Sequence, residues 1–164
     1  IYVGGNKLTV LKMKRQKRTV GSAFKIPLTD NTHSYGIILE KASVAIFKIK
    51  TNNSLPISEI LKEDVLFIVA VYNSAITSGR WEKIGKTPPD ERFTILPLNF
   101  IQDSINPEHF EIYDPNTGQI TKSSRENCLG LECAAVWEAE HVETRILDHF
   151  NGKENAWMKQ LQIK

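Results

Sequence analysis

GSAFKIPLTDNTHSYGIILEK, residues 21–41, decides the architecture. Phe24, Ile26 and Leu28 alternate with Ala23, Lys25 and Pro27, the polar set TDNTH follows, and Tyr35, Ile37 and Leu39 resume the alternation. Period two on both sides of a cluster of turn residues reads as a β-hairpin. Pro27 has no N–H to give a ladder, which puts the first strand at a sheet edge or the proline near the strand's end.

Further β segments follow on both scales of burial. SVAIFKIK (43–50) is a third β-rich run, and VLFIVAVY (65–72) reads as the central strand, covered on both faces. Between them NNSLPISEILKED (52–64) carries turn residues into one helical turn, with Ser58 a candidate cap. TSGRWEKIGKTPPDE (77–91) reads as loop with a short strand at 81–84, and RFTILPLNFIQD (92–103) as an extended segment interrupted by Pro97. In HFEIYDPNTGQITKS (109–123) two short strands flank DPNTG, where Gly118 supplies the positive φ that closes the turn. A last strand is expected at 133–137 and a helix from about Glu138 to Phe150, stopped by Asn151 and Gly152. Short strands with one substantial terminal helix predict an α+β protein: a strongly bent, mostly antiparallel sheet or half-open small barrel with the helix packed on it.

With 164 residues, 41% of them hydrophobic, the chain can build one sizeable core. No apolar run approaches the length of a membrane-spanning helix. The net charge of +2 hides a polarity: residues 1–18 hold six bases and no acid, while residues 101–164 hold six bases and eleven acids. The expected organisation is a basic amino-terminal extension, 1–18, before a single domain, 19–164. Met13, followed by KRQKR, has the look of a natural start, which would make residues 1–12 an upstream extension. The arm lacks aromatic residues to stack on bases, and the body from residue 19 carries fifteen bases against nineteen acids, a poor footprint for nucleic acid. A nucleic-acid-binding β-barrel using the arm is the alternative function. Cys128 and Cys133 are too few for a disulfide framework and suit free thiols in a reducing compartment; no ligand set for a metal accompanies them.

The acidic end centres on ECAAVWEAEHVETRILDHF, residues 132–150. At helical spacing Val142, Ile146 and Phe150 form an apolar stripe flanked by Leu147. Glu138 and Glu140 fall in the first turn, where they offset the helix dipole. Arg145 is placed to pair with Asp148 or stack over His149. His141 and His149 are eight positions apart, unlike the four-residue spacing of paired metal histidines on a helix. Glu143 with His141 or His149 could form an acid–base set only if a pocket brought them together, and no nucleophile or phosphate-binding loop accompanies them.

Three stretches in order, RQKRTVGSAFKIPLTDNTHSYGIILEK, WEKIGK after an apolar strand, and GLECAAVWEAEHVETRILDHFNGKENAW, resemble the bacterial immunity protein 26 family of polymorphic-toxin systems, from about Met13 to Trp157. The resemblance implies a small cytoplasmic protein without catalytic activity or cofactor that binds and blocks a cognate toxin domain, often a nuclease with a basic substrate site. No membrane association is implied, and a monomer is favoured. Clustered carboxylates speed the approach of a basic partner, and buried aromatics anchor interfaces. The expected contact face is therefore Glu132, Glu138, Glu140 and Glu143, with Trp137 or Trp81 as aromatic anchor, although core packing is the ordinary fate of a tryptophan.

Overall fold

A computed structural model describes residues 13–164. The hairpin of residues 21–41 is present as β1 (Ser22–Pro27) and β2 (His33–Ile38), antiparallel, with Phe24 opposite Gly36. Then come β3 (Ser43–Phe47), α1 (Ile57–Ile60), β4 (Val65–Val71), α2 (Ser74–Thr77) and β5 (Glu82–Lys86). A 3-10 turn at Glu91–Phe93 leads to β6 (Asn99–Gln102), β7 (Phe110–Tyr113) and β8 (Ile120–Ser123). The chain closes with α3 (Arg125–Cys128), β9 (Glu132–Cys133), β10 (Val136–Trp137), α4 (Ala139–Phe150) and α5 (Ala156–Leu161).

The class is α+β and the sheets are open: six strands ordered β10-β4-β3-β2-β1-β5, and four ordered β8-β7-β6-β9. Both are antiparallel except where β10 joins β4 and β9 joins β6 in parallel. The expected strand at 133–137 is thus split, its two halves serving different sheets. Pro27 ends β1, which lies between β2 and β5 and is not an edge.

Alternation sends Phe24, Ile26, Ile38, Val44 and Ile46 to one face of the large sheet, where Trp81, Trp137 and α4 cover them. Tyr35, Ile37, Ala45 and Phe47 point to the other face, beneath Ile60 and Leu96. Burial on both faces makes β2 and β3 the centre, every residue of both being buried. Residues 65–72 are not central: β4 lies second from an edge, and only alternate side chains, Phe67, Val69 and Val71, are fully covered. Phe24 stacks on Trp81 (5.2 Å, 3°) and also covers Gly36, where a Cβ would stand 2.5 Å from the ring and 2.7 Å from the Ala45 carbonyl. That close approach is why the strand carries glycine there. Gly118, at φ +80°, closes the β7–β8 turn as the DPNTG pattern requires.

Local details depart from expectation in two places. Ser58 lies inside α1, which Pro56 precedes without any side-chain cap. Phe150 is 36% exposed, so the apolar stripe of α4 ends at Ile146 with Leu147 beside it. The amino-terminal arm joins the domain before residue 19: Gln16 donates its side-chain amide to the Ile76 and Trp81 carbonyls, and Arg18 donates to those of Leu39 and Ser43. Lys7 and Lys12 lie outside the described residues. Among the described residues no helix is long and apolar enough to cross a membrane.

Candidate functional site

Val142 and Ile146 are fully buried against the β4 face that carries Phe67, Val69 and Val71. That anchorage fixes the rotation of α4 and decides where its charged residues fall. Glu143, one position past Val142, turns inward and is 5% exposed. Its carboxylate accepts two hydrogen bonds from the Arg80 guanidinium (Nε and Nη2, both 2.8 Å) and a third from Trp81 Nε1 at 2.9 Å. The same bonds hold the Arg80 charge more firmly than usual and raise its pKa. On the other flank Arg145, 6% exposed, gives Nη1 and Nη2 to both oxygens of Glu132 at 3.0 and 2.6 Å. The Arg145 guanidinium lies 3.8 Å over the Phe67 ring and 5.1 Å from that of Trp137. Arg145 therefore pairs with neither Asp148 nor His149.

Planar bidentate pairs of this kind hold position well, because the fork of the guanidinium matches a carboxylate. Their contribution to net stability is small, since desolvating both charges offsets most of the attraction. Their effect is geometric: α4 is clamped on one side through Arg80 and on the other through Glu132.

The residues expected at the contact face are thus distributed unevenly. Trp81 is 0% and Trp137 4% exposed, both in the core, and Glu143 is buried and fully partnered. Glu132 is half-buried and held by Arg145. Only Glu138 and Glu140 stand exposed, at the start of α4. Glu140 has Arg80 3.8 Å away, but that guanidinium is already committed to Glu143. These two carboxylates border a notch of about 300 Å³ between α2 and the start of α4, lined also by Met13, Ser74, Arg80 and His141.

Much of the acidic excess at the carboxyl end is spent internally. Asp103 and Asp114 accept backbone N–H groups of their own turns, which lowers both carboxyl pKa values. Asp148 accepts from Asn155 Nδ2, and Glu154 is 3.6 Å from Lys159. Of the arm's bases, Lys14, Arg15 and Lys17 are exposed, whereas Arg18 is drawn into the sheet and its pKa is lowered by burial.

No acid–base set assembles around Glu143. His141 stacks on Trp157 (centroids 3.6 Å, 20°), and His149 meets Phe150 edge-on. Among the described residues no group of three or more His, Cys, Asp or Glu side chains could hold a metal ion. Cys128 is buried and Cys133 half-buried, both free, and burial pushes both thiols up. Two residues at the site carried no sequence signal: Arg80, whose partner is 63 positions away, and Trp157, the partly exposed tryptophan.

Comparison with protein families matches residues 19–111 to the model described as Immunity protein 26, more than half of the chain. The matched region holds β1 to β6 and ends within β7, before α4 begins. No curated protein and no solved structure gives a significant match.

Proposed function

The chain belongs to the immunity protein 26 family, and we propose that it neutralises a cognate bacterial toxin domain by binding over that domain's active cleft, without performing chemistry itself. The family match is the observation that carries this reading. Polymorphic-toxin context, a bacterial source and a cytoplasmic site of action belong to the same proposal.

The part of the molecule that meets the toxin is, on this reading, the start of α4. Glu138 and Glu140 present negative charge to a basic substrate cleft, such as that of a nuclease. Glu132, Glu143, Trp81 and Trp137 stand behind them and hold the helix. A surface fixed before the encounter loses little conformational freedom on binding, which favours affinity. Exposed carboxylates also steer a basic partner and make association weaker in salt.

The test is protection. Candidate toxin domains encoded beside this gene are expressed with and without the chain, and cell survival is scored. Wild-type chain is expected to rescue growth against one of them and to form a complex that resists dilution. Equal killing in its presence by every such toxin removes the reading. If rescue occurs, Glu138→Lys with Glu140→Lys is expected to abolish it while leaving the fold intact; undiminished rescue would move the contact face elsewhere.

A further inference from the structure

At the opposite end of α4 the structure holds a larger cleft, of about 520 Å³, within the range that takes a small organic ligand. Leu66 and Phe67 of β4 and Met158 of α5 line its apolar part, while Lys153 and Lys159 bring positive charge, opposed among the lining residues by Glu154; the Arg145 charge in the wall is already answered by Glu132. We propose that this cleft is a binding site for a carboxylate carried on a flat, apolar body.

Three features support the assignment. First, the walls are built in advance. Arg145 is held along its Nη edge by Glu132 and lies with its plane over the Phe67 ring, so it forms a fixed, charge-compensated wall. Asn155, 5% exposed, fixes α5 by donating to Asp148 and accepting from Met158 N–H. Second, the charges differ in availability. Glu132 and Asp148 are occupied by those bonds and do not line the cleft. Lys153 has no carboxylate within 4.0 Å among the described residues, and the Lys159–Glu154 pair is 3.6 Å apart with both side chains mostly exposed. Such a loose surface pair is worth little and yields readily to a better-placed anion. Third, the shape of the chemistry is mixed. Leu66, the Phe67 edge and the adaptable Met158 thioether offer apolar contact to an aromatic body, and Lys153 and Lys159 offer charge to its carboxylate. A wholly polar anion would leave the apolar part wet, and a neutral aromatic would leave the lysines unanswered.

The same group can arrive as a free small molecule or on a partner's polypeptide, and the probes separate the two. The ¹⁵N-labelled chain is titrated at pH 7 with indole-3-acetate, with its uncharged analogue indole-3-acetamide, and with the blocked peptide acetyl-Glu-Trp-Glu-amide. Saturable shifts centred on the amides of Leu66, Phe67, Lys153 and Met158 are expected for the acid or the peptide. The acetamide should bind roughly tenfold more weakly than the acid. Tighter binding of the peptide than of the acid assigns the site to a partner's segment; the reverse assigns it to a free ligand. Lys153→Glu with Lys159→Glu should lose binding, and Lys122→Glu on the other sheet should keep it. Scattered or unsaturated shifts, equal binding of acid and amide, or unchanged affinity in the double variant would each overturn the proposal. None of these outcomes depends on the identity of a toxin.

Discussion

Replacing Glu143 by alanine tests whether the interior of this site is held as described. The substitution removes three hydrogen bonds, two from Arg80 and one from Trp81 Nε1. Breaking one partner of a buried ion pair costs about 3–5 kcal/mol, because the remaining charge is left without compensation. Arg80 is 36% exposed in its side chain and can recover water, which draws the figure toward the lower limit. The Trp81 ring is fully buried and its N–H cannot, which adds about 1 kcal/mol or more for an orphaned donor. A loss of about 3–4 kcal/mol follows, equivalent to a fall in Tm of roughly 6–16 °C for a chain of this size. The measurement is urea unfolding followed by tryptophan fluorescence. The companion variant, Arg80→Met with Glu143→Leu, removes both charges and should recover most of the loss, leaving chiefly the Trp81 N–H unpaired. A cost below about 1 kcal/mol for Glu143→Ala, or a double variant as unstable as the sum of its singles, would refute the account.

Two other perturbations act at different places. Gly36→Ala puts a methyl where the Phe24 ring and the Ala45 carbonyl already stand, so it should destabilise by about 1–3 kcal/mol and disturb the Phe24–Trp81 stack, read as a change in near-ultraviolet circular dichroism. His33 is buried, its Nε2 within 2.8 Å of the Asn53 carbonyl and 2.9 Å of the Tyr35 hydroxyl, and burial with the nearby Lys25 charge lowers its pKa. The folded pKa being below the unfolded one, the unfolded chain takes up more protons. The contribution of His33 to stability is therefore full above about pH 6.5 and declines as pH falls below it. Chemical denaturation across pH 5 to 8 should show that slope, and His33→Gln should flatten it.

What could be read in the sequence was local. The two hairpins follow from period-two alternation around turn residues, and α4 from the spacing of Val142 and Ile146. The centre of the sheet was misassigned because VLFIVAVY is the more continuous apolar run, whereas burial on both faces falls on β2 and β3, with Ser34 and Gly36 among their residues. Glu143 illustrates the limit more sharply. It lies at the border of the apolar stripe, where a helical projection cannot say whether a carboxylate faces core or water. The answer depends on Arg80 and Trp81, which reach it only through the fold. Likewise the acidic carboxyl end looks like a continuous charged surface in sequence, but Asp103, Asp114, Glu132, Glu143 and Asp148 are engaged by turn bonds, ion pairs or Asn155, leaving Glu138 and Glu140 as the exposed carboxylates at the start of α4.

The two ion pairs beside α4 raise the question of why charges are used where apolar contacts would serve as well. Buried pairs add little net stability, and hydrophobic replacements of similar volume are often neutral or stabilising. A bidentate pair differs from an apolar contact in tolerating only one mutual orientation. Arg80–Glu143 and Glu132–Arg145 constrain α4 from opposite flanks, so together they fix its rotation and its position along β4. On the reading proposed above, that rotation sets where Glu138 and Glu140 point. Replacing both pairs at once, with Arg80→Met, Glu143→Leu, Glu132→Leu and Arg145→Met, should therefore leave unfolding stability within about 2 kcal/mol of wild type. It should also speed amide exchange along α4 and weaken protection against the toxin, though no exposed carboxylate at the start of the helix has changed. If the fourfold variant protects as well as wild type and its helix exchanges no faster, the charges do not set the register, and an apolar stripe alone positions the surface.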